Sequence, residues 1–208
     1  MMSPTPAYRI ETERLVLHGL SPVFAEAFHR TIEANLAHLS RSMHWAVSEP
    51  IERRIETLRG LRAAFDQGRD FPYFIFAKER PEELVGGTGL HPRVGGRALE
   101  IGYWLAKAHV GKGYVQEAAG ALTRVAVELH ECLRVEIHCD PLNERSASVA
   151  RRLGYTHDAT LRKRLLEPDG TLRDTMIWSI LAEELPGALA GSVAYRAFDA
   201  AGRPIAAR

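Results

Sequence analysis

The sequence is poor in cysteine, has no long apolar run and carries almost no net charge. Two cysteines occur in 208 residues, and 27 basic residues stand against 26 acidic residues, which leaves a formal net charge of +1. This cysteine content excludes a disulfide-rich scaffold, and the balanced charge gives no indication of nucleic-acid binding. Because no apolar run is long enough to cross a bilayer and no basic-apolar signal begins the chain, we predict no membrane segment and, by default, a cytoplasmic protein.

The candidate metal ligands lack the spacing of a metal site. Cys139 lies in a segment of alternating apolar residues, which favours a buried thiol over a ligand or a disulfide. The nine histidines form no cluster with Cys132 or Cys139. His138 and Asp140 flank Cys139, but consecutive residues of a strand point to opposite faces. The sequence therefore predicts no metal.

The composition is that of a soluble globular domain, with 46% hydrophobic and 25% charged residues. We predict a flexible leader over residues 1–10, a single domain over residues 11–185 and a tail over residues 186–208, where no period is visible. Apolar alternation predicts strands at about 11–20, 71–78, 84–90, 99–105, 134–140, 156–164 and 172–181. Helical spacing and capping residues predict helices at about 22–39, 51–66, 114–129 and 144–153.

The segment from Leu99 to Leu129 predicts a strand, a tight turn and a helix, and the turn suits an anion. Gly111 and Gly113 allow the backbone to present its N–H groups without a Cβ in the way. The first turn of the helix adds N–H donors and the positive end of the helix dipole, and Lys112 adds a positive charge. A polyphosphate fits this description, although an ordinary strand-to-helix turn would have the same pattern.

Two well-known phosphate motifs do not fit this turn. A P-loop requires a glycine five residues before Gly-Lys and a Ser or Thr after it, whereas Ala106 and Gly113 occupy those positions. A dinucleotide fingerprint requires a third glycine where Gln116 stands. The turn therefore indicates neither a P-loop nucleoside triphosphatase nor a dinucleotide-binding enzyme.

The segment Val110-Gly-Lys-Gly-Tyr-Val115 resembles the pyrophosphate loop of the GNAT superfamily of N-acetyltransferases, Q/R-x-x-G-x-G/A. Gly113 and the flanking Gly-Lys match, whereas Val110 stands where Gln or Arg is usual and Val115 where Gly or Ala is usual. The neighbouring Glu-Ile-Gly-Tyr-Trp-Leu of residues 100–105 is similar to the RimJ/RimL branch, the ribosomal-protein N-acetyltransferases. Asp-Pro-x-Asn-x-x-Ser at residues 140–146 and the later Leu-Gly-Tyr resemble that family's second CoA-side segment.

The resemblance implies a GNAT fold of the α/β (α+β) class, a mixed and mostly antiparallel sheet of about seven strands with helices on both faces. In this family strands four and five splay apart, and the pantetheine arm of acetyl-CoA enters the gap. The thioester is then expected near Tyr103, Trp104 and Leu105. The pyrophosphate is expected at Val110, Gly111, Lys112, Gly113, Tyr114 and Val115. Asn143 is expected to order the CoA arm or the adjacent loop, or else only to cap its helix.

The resemblance also suggests the catalytic residues. Glu100, on the strand that borders the site, is the candidate general base, and a surface charge is its alternative role. Many family members place a Tyr on the helix after strand five, but Ala150 occupies that position here. Ser146 is then the candidate acid for the departing thiolate, or else part of the helix cap. Trp45 stands where family members carry an aromatic residue near the acceptor pocket, or else packs at the surface.

The predicted function is transfer of an acetyl group from acetyl-CoA to a primary amine by direct attack in a ternary complex. A protein N-terminal amine is the substrate of the best-known relatives, and a small amine, an amino acid or an antibiotic amine is the alternative. A non-catalytic acyl-CoA-binding module and a purely structural protein are further alternatives. We expect acetyl-CoA and the amine as ligands, no nucleic acid or membrane partner, and a homodimer, as is common in this branch.

Overall fold

The computed structural model describes residues 6–207, so residues 1–5 of the predicted leader lie outside that range. The chain folds into two compact units. The first unit contains the chain up to Gly89, Tyr103–Ala118 and the segment from Ala194 onward. The second unit contains Leu90–Gly102 and Ala119–Val193.

Four helices lie where capping residues and apolar spacing predict them, and a short fifth helix lies in the predicted tail. They are α1 Ala25–Leu39, α2 Ile51–Asp66, α3 Tyr114–Glu128, α4 Glu144–Leu153 and the short α5 Leu189–Ser192. Ser21 caps the 3-10 turn that leads into α1, and Asn143 Oδ1 accepts the amide of Ser146 at 3.1 Å at the start of α4. Gly154 ends α4 with a φ of 92°, a left-handed conformation that glycine adopts readily. No helix among the described residues is long and apolar enough to span a bilayer.

The described residues form ten strands, three more than the seven predicted. They are β1 Arg9–Glu11, β2 Leu15–Gly19, β3 Phe71–Ala77, β4 Arg80–His91, β5 Ala98–Leu105, β6 Arg134–Cys139, β7 Thr156–Leu166, β8 Leu172–Leu181, β9 Arg196–Phe198 and β10 Pro204–Ala207. The predicted first strand is in fact the hairpin of β1 and β2. It turns at Thr12, whose hydroxyl accepts the amide of Leu15 at 3.2 Å. Arg9 and Ile10, assigned to the leader, lie in β1.

The segment after residue 185, expected as a tail, contains α5, β9 and β10. β9 pairs antiparallel with β1, with Ile10 opposite Ala197, and β10 pairs with β9. The guanidinium carbon of Arg9 lies 4.0 Å from the ring centroid of Phe198, which attaches this segment to the N-terminal strand. Strands of three and four residues are too short to show a period in the sequence, so the pattern missed them.

The first unit has the strand order β10-β9-β1-β2-β3-β4. β1 pairs antiparallel with β2, and β2 pairs antiparallel with β3. Every residue of β3 is buried. The core of the first unit includes side chains of α1, α2 and β3, among them Phe28, Ile32, Leu58, Phe74 and Phe76. This packing explains why β3 reads as a continuous apolar run.

The second unit has the strand order β5-β6-β8-β7. β8 is antiparallel to both β6 and β7, whereas β5 and β6 are parallel. Parallel neighbours need a crossover, and α3 lies between β5 and β6 in the chain. The fold is thus the mixed, mostly antiparallel α/β class that the sequence predicted. Cys132 and Cys139 are buried and not bonded to each other, as predicted.

The parallel ladder between β5 and β6 is short. It joins Ala98 to Arg134, Leu99 to Val135 and Glu100 to Glu136. β6 continues to Cys139, and over its whole length it pairs with β8. β5 likewise continues to Leu105. Within the second unit, the parallel pairing of these two strands thus ends at Glu100.

Two adjacent glycines of β4 make room for β5, Gly86 for the backbone at Trp104 and Gly87 for the indole of Trp104. A Cβ at Gly86 would lie 2.2 Å from the carbonyl oxygen of Trp104, and a Cβ at Gly87 would lie 2.4 Å from Nε1 of the same residue. Real side chains do not tolerate such distances, so glycine is required at both positions. Glycine inside a strand is typical of such a close approach of another segment of backbone.

We expect Gly86→Ala to lower the free energy of unfolding by about 1–3 kcal/mol, because backbone atoms must move to admit the methyl group. Gly60→Ala is the matched control. A Cβ at Gly60, in the exposed middle of α2, has no atom within 4 Å. This control should gain about 0.5–1 kcal/mol from helix propensity. Urea denaturation of both variants measures the difference, and equal stabilities would contradict the close approach.

Candidate active site

The turn between β5 and α3 has the conformation expected of an anion-binding loop. A 3-10 turn over Lys107–His109 leads to Gly111 and Gly113, whose φ values are 84° and 79°. Gly111, Lys112 and Gly113 are exposed, and α3 begins at the next residue. The first N–H groups of a helix have no partner within the helix and carry a partial positive charge. The loop therefore presents donors to solvent where an anion can reach them.

Arg14, which the sequence analysis missed, holds this loop from the β1–β2 turn. Its Nε lies 2.6 Å from Oε2 of Glu117 in the first turn of α3, and its Nη1 donates to the carbonyl of Lys112 at 3.0 Å. The hydroxyl of Thr12 donates to the other oxygen of Glu117 at 2.5 Å. An exposed arginine in a turn gives no signal in the sequence. Binding the carbonyl of Lys112 fixes the peptide plane between the two glycines.

A second set of contacts anchors the start of the loop. His109 is buried, and its Nε2 lies 2.9 Å from Oε1 of Glu83 on β4. Burial raises the pKa of Glu83, but the hydrogen bonds with His109 and Arg80 outweigh it, so the pKa lies below its ordinary value. Asn35 on α1 accepts the amide of Lys107 at 2.9 Å. The loop is thus tied to β4 and α1 as well as to the N-terminal hairpin.

An aromatic cluster in the first unit brings together two predicted site residues, Trp45 and Trp104. The ring centroids of Trp45 and Trp104 are 5.6 Å apart, and Phe28 lies 6.1 Å from each of them. Trp45 keeps 44% of its surface exposed, so it both packs and remains open to a ligand. Tyr103 and Leu105, the other predicted residues of β5, are half-buried.

A buried arginine holds the connector that carries Trp45. Arg54 on α2 is 2% exposed, and its Nη1 lies 3.0 Å from Oε1 of Glu49. Its Nη2 donates to the carbonyl of Val47 at 2.5 Å. The sequence analysis missed Arg54 because an arginine in an amphipathic helix is usually on the exposed face. Arg54 thus fixes the backbone two residues after Trp45.

The second unit contains the candidate base. Glu100 ends the β5–β6 ladder, and its side chain is 15% exposed. Its carboxylate oxygens lie 3.9 Å from Nη1 of Arg93 and 3.5 Å from Nδ1 of His138. Glu100 is therefore a partly desolvated carboxylate with an imidazole beside it, and not an isolated surface charge.

Asn143 and Ser146 lie together at the start of α4. The cap acceptor is the Asn143 side chain, and Ser146 contributes its backbone N–H. The hydroxyl of the buried Ser146 is close to Cys139 at the end of β6. Burial raises the pKa of the Cys139 thiol, and a hydrogen bond with Ser146 partly opposes that rise. Ser146 thus places a hydroxyl beside the end of β6, apart from its part in the cap.

Within the described residues, no group of three or more His, Cys, Asp or Glu side chains is arranged to hold a metal ion. The loop amides belong to the first unit, and the Glu100 carboxylate and the Ser146 hydroxyl belong to the second. Main-chain donors at the start of a helix can bind an anion, and a carboxylate can accept a proton.

Comparison with known proteins agrees with this chemistry. The family model described as an acetyltransferase (GNAT) domain matches residues 14–156. The ribosomal-protein-serine acetyltransferase of Escherichia coli is 26% identical over 155 residues, which cover 73% of this chain and 84% of that protein. The solved structure of Mycobacterium smegmatis RimJ in complex with CoA-disulfide superposes with a TM-score of 0.77 at 28% identity, covering 90% of this chain and 92% of that one.

A second solved structure, that of the microcin C7 self-immunity acetyltransferase in complex with acetyl-CoA and AMP, has a TM-score of 0.73 at 22% identity. It covers 81% of this chain and 93% of that chain, and at this identity it supports the fold alone. Because the family model matches well over half of the sequence, the protein belongs to the GNAT acetyltransferase family. The predicted activity, transfer of an acetyl group from acetyl-CoA to an amine, is thereby confirmed.

We expect Gly113→Val to weaken acetyl-CoA binding at least tenfold, about 1.4 kcal/mol, because a branched side chain would stand among the loop donors. Isothermal titration calorimetry measures the change. Gly170→Val is the matched control, since Gly170 also has a positive φ, 85°, and a Cβ there has no atom within 4 Å. Both variants should lose similar stability. Equal affinities for acetyl-CoA would contradict the role of the loop.

Proposed function

We propose that this N-acetyltransferase acetylates the N-terminal α-amine of a protein, with the loop at residues 110–115 binding the pyrophosphate of acetyl-CoA. The observation that supports it most strongly is the loop itself, with two left-handed glycines, an exposed lysine and a helix start. Charge-assisted hydrogen bonds of this kind contribute on the order of 1.5–3 kcal/mol each. Lys112 adds a mobile charge where Val110 cannot provide the usual side-chain donor.

In this proposal the pantetheine arm runs along β5 beyond the end of its ladder with β6. An extended amide chain can hydrogen-bond to a strand as a neighbouring strand does. The early end of the ladder at Glu100 supports this placement. Tyr103, Trp104 and Leu105 then border the thioester, and a backbone N–H of β5, such as that of Leu105, stabilises the tetrahedral oxyanion. Asn143 orders the loop before α4.

Glu100 acts as the general base. The attacking amine must be neutral, and an α-amine titrates near ~8 whereas a lysine amine titrates near ~10.4. An α-amine therefore needs only modest help at neutral pH, which a carboxylate in Glu100's position provides, directly or through a water. The departing thiolate takes a proton from Ser146, the hydroxyl left by the replacement of the usual tyrosine with Ala150.

The acceptor is bound beside Trp45, whose indole is ordered on one side by Phe28 and Trp104 and exposed on the other. The name of the Escherichia coli relative, a ribosomal-protein-serine acetyltransferase, supports a protein as the acceptor and the cytoplasm as the place of action. A small amine would contact the same exposed indole. Turnover with a panel of amines distinguishes a protein N-terminus from a small amine as the acceptor.

The test compares thiol release from acetyl-CoA with peptides bearing a free N-terminus, free amino acids, polyamines and aminoglycosides. Turnover should be highest with a peptide α-amine. Glu100→Gln should lower kcat by 10²–10⁴-fold with little change in acetyl-CoA affinity, since general-base assistance has that magnitude. Glu13→Gln, an exposed carboxylate of the first unit, is the control. Full activity of Glu100→Gln would contradict the assignment, and a preference for small amines would overturn the protein acceptor.

We also propose that the protein is a homodimer formed through β7. This strand is the last in the order of its unit, and it exposes Leu161, Leu165 and Leu166 by 39%, 41% and 67%. An edge strand with exposed leucines is a pairing surface unless it is covered. Sedimentation velocity at micromolar concentration should give twice the chain mass, and Leu165→Lys should shift it toward the monomer. A monomeric wild type would contradict the proposal.

A further inference from the structure

His138 occupies a position between two carboxylates that the reaction described above does not use. It lies on β6 two residues after Glu136, so both side chains point to the same face of the strand. Its Nε2 lies 2.5 Å from Oε2 of Glu136, and its Nδ1 lies 3.5 Å from Oε2 of Glu100. One imidazole therefore connects the proposed base to a second carboxylate.

Glu136 is held in place by a chain of further contacts. It is 8% exposed, and its Oε1 lies 2.5 Å from Nε of Arg134. Arg134 also bonds Asp158 on β7, and the hydroxyl of Ser179 on β8 donates to the same Asp158 oxygen at 2.7 Å. Burial alone would lower the pKa of Arg134, but its hydrogen bonds with Glu136 and Asp158 raise it. Arg134 thus keeps a positive charge beside Glu136.

The groups around His138 determine which nitrogen of the neutral imidazole carries the hydrogen. A buried carboxylate next to an arginine is an acceptor, so Nε2 of His138 must carry a hydrogen. In the neutral ring Nδ1 then carries the lone pair, and Nδ1 is the ring nitrogen that faces Glu100. The residue opposite His138 on β8 is the apolar Ile177. The charged groups around the imidazole are thus Glu100, Glu136 and, one contact further, Arg93 and Arg134.

We propose that His138 is a proton-relay and positioning residue that clears Glu100 of its proton in each turnover. This inference rests on the assignment of Glu100 as the base. As the amine nitrogen bonds to the thioester carbon, its proton passes to Glu100. The O–H bond of Glu100 then breaks as the proton moves to Nδ1 of His138, and the imidazolium lies between two carboxylates until it releases the proton to water.

The geometry makes the relay efficient in two ways. The side chain of His138 is 22% exposed, so the proton has a short path to solvent, whereas Glu100 is 15% exposed. Glu136 stabilises the transient imidazolium and holds the ring so that Nδ1 faces Glu100. The 3.5 Å separation is at the long end for a direct hydrogen bond, and such contacts often tighten when substrate binds.

The test is the variant His138→Gln, assayed with the amine of highest turnover in the panel above. We expect kcat to fall at least tenfold while the affinity for acetyl-CoA stays within twofold of wild type. The acid side of the pH profile of kcat should change shape, and added imidazole should restore part of the rate. His157→Gln, an exposed histidine of β7, should behave as wild type.

The outcomes separate a relay from a structural role and from a failure of the base assignment. An unchanged kcat and pH profile for His138→Gln would overturn the relay. A loss of rate that follows a loss of thermal stability and that imidazole does not restore would also overturn it. If Glu100→Gln is inactive and His138→Gln is not, only the relay fails. If Glu100→Gln is fully active, the assignment of the base fails as well.

Discussion

The hydrogen bonds of Arg14 with the carbonyl of Lys112 and with Glu117 are the interactions that hold the loop between β5 and α3 in its conformation. Main-chain donors bind an anion well only when they already point toward it, because ordering a glycine-rich loop at the moment of binding costs conformational entropy. The two glycines make the conformation accessible, and the arginine selects it. The exposed ion pair itself adds little to stability, so its value lies in orientation. The arginine also places a positive charge beside a loop that lacks the usual side-chain donor at Val110.

The second constraint is the early end of the β5–β6 ladder. Three residue pairs hold the strands together, and the fold then turns β6 entirely toward β8. Glu100 lies at the last of these pairs, and its side chain is 15% exposed. The network of Glu136, Arg134 and Asp158 stabilises this end of the ladder, since each carboxylate there has a cationic neighbour. In the proposed reaction, in which Glu100 accepts a proton, these fixed charges surround the base.

Much of this fold could be read from the sequence, and the reasons for the rest are physical. Helix α2 was predicted to the residue, because its apolar stripe and the terminal Pro50 and Gly68 are local signals. The strands β9 and β10 were missed, because three or four residues cannot show a period and their pairing with β1 is a long-range contact. The same limit applies to the site. Gly111 and Gly113 form a local motif, whereas Arg14 contacts Lys112 and Glu117, which lie 98 and 103 residues further along the chain.

In the proposed function, the backbone amides around Gly113 bind the pyrophosphate of acetyl-CoA. The most direct measurement is an NMR titration that follows the amide resonances of residues 111–116 with acetyl-CoA and, separately, with acetyl-pantetheine, which lacks the pyrophosphate. We expect large shifts of these amides with acetyl-CoA and small ones with acetyl-pantetheine. Equal shifts with both ligands, or shifts confined to other parts of the chain, would contradict it.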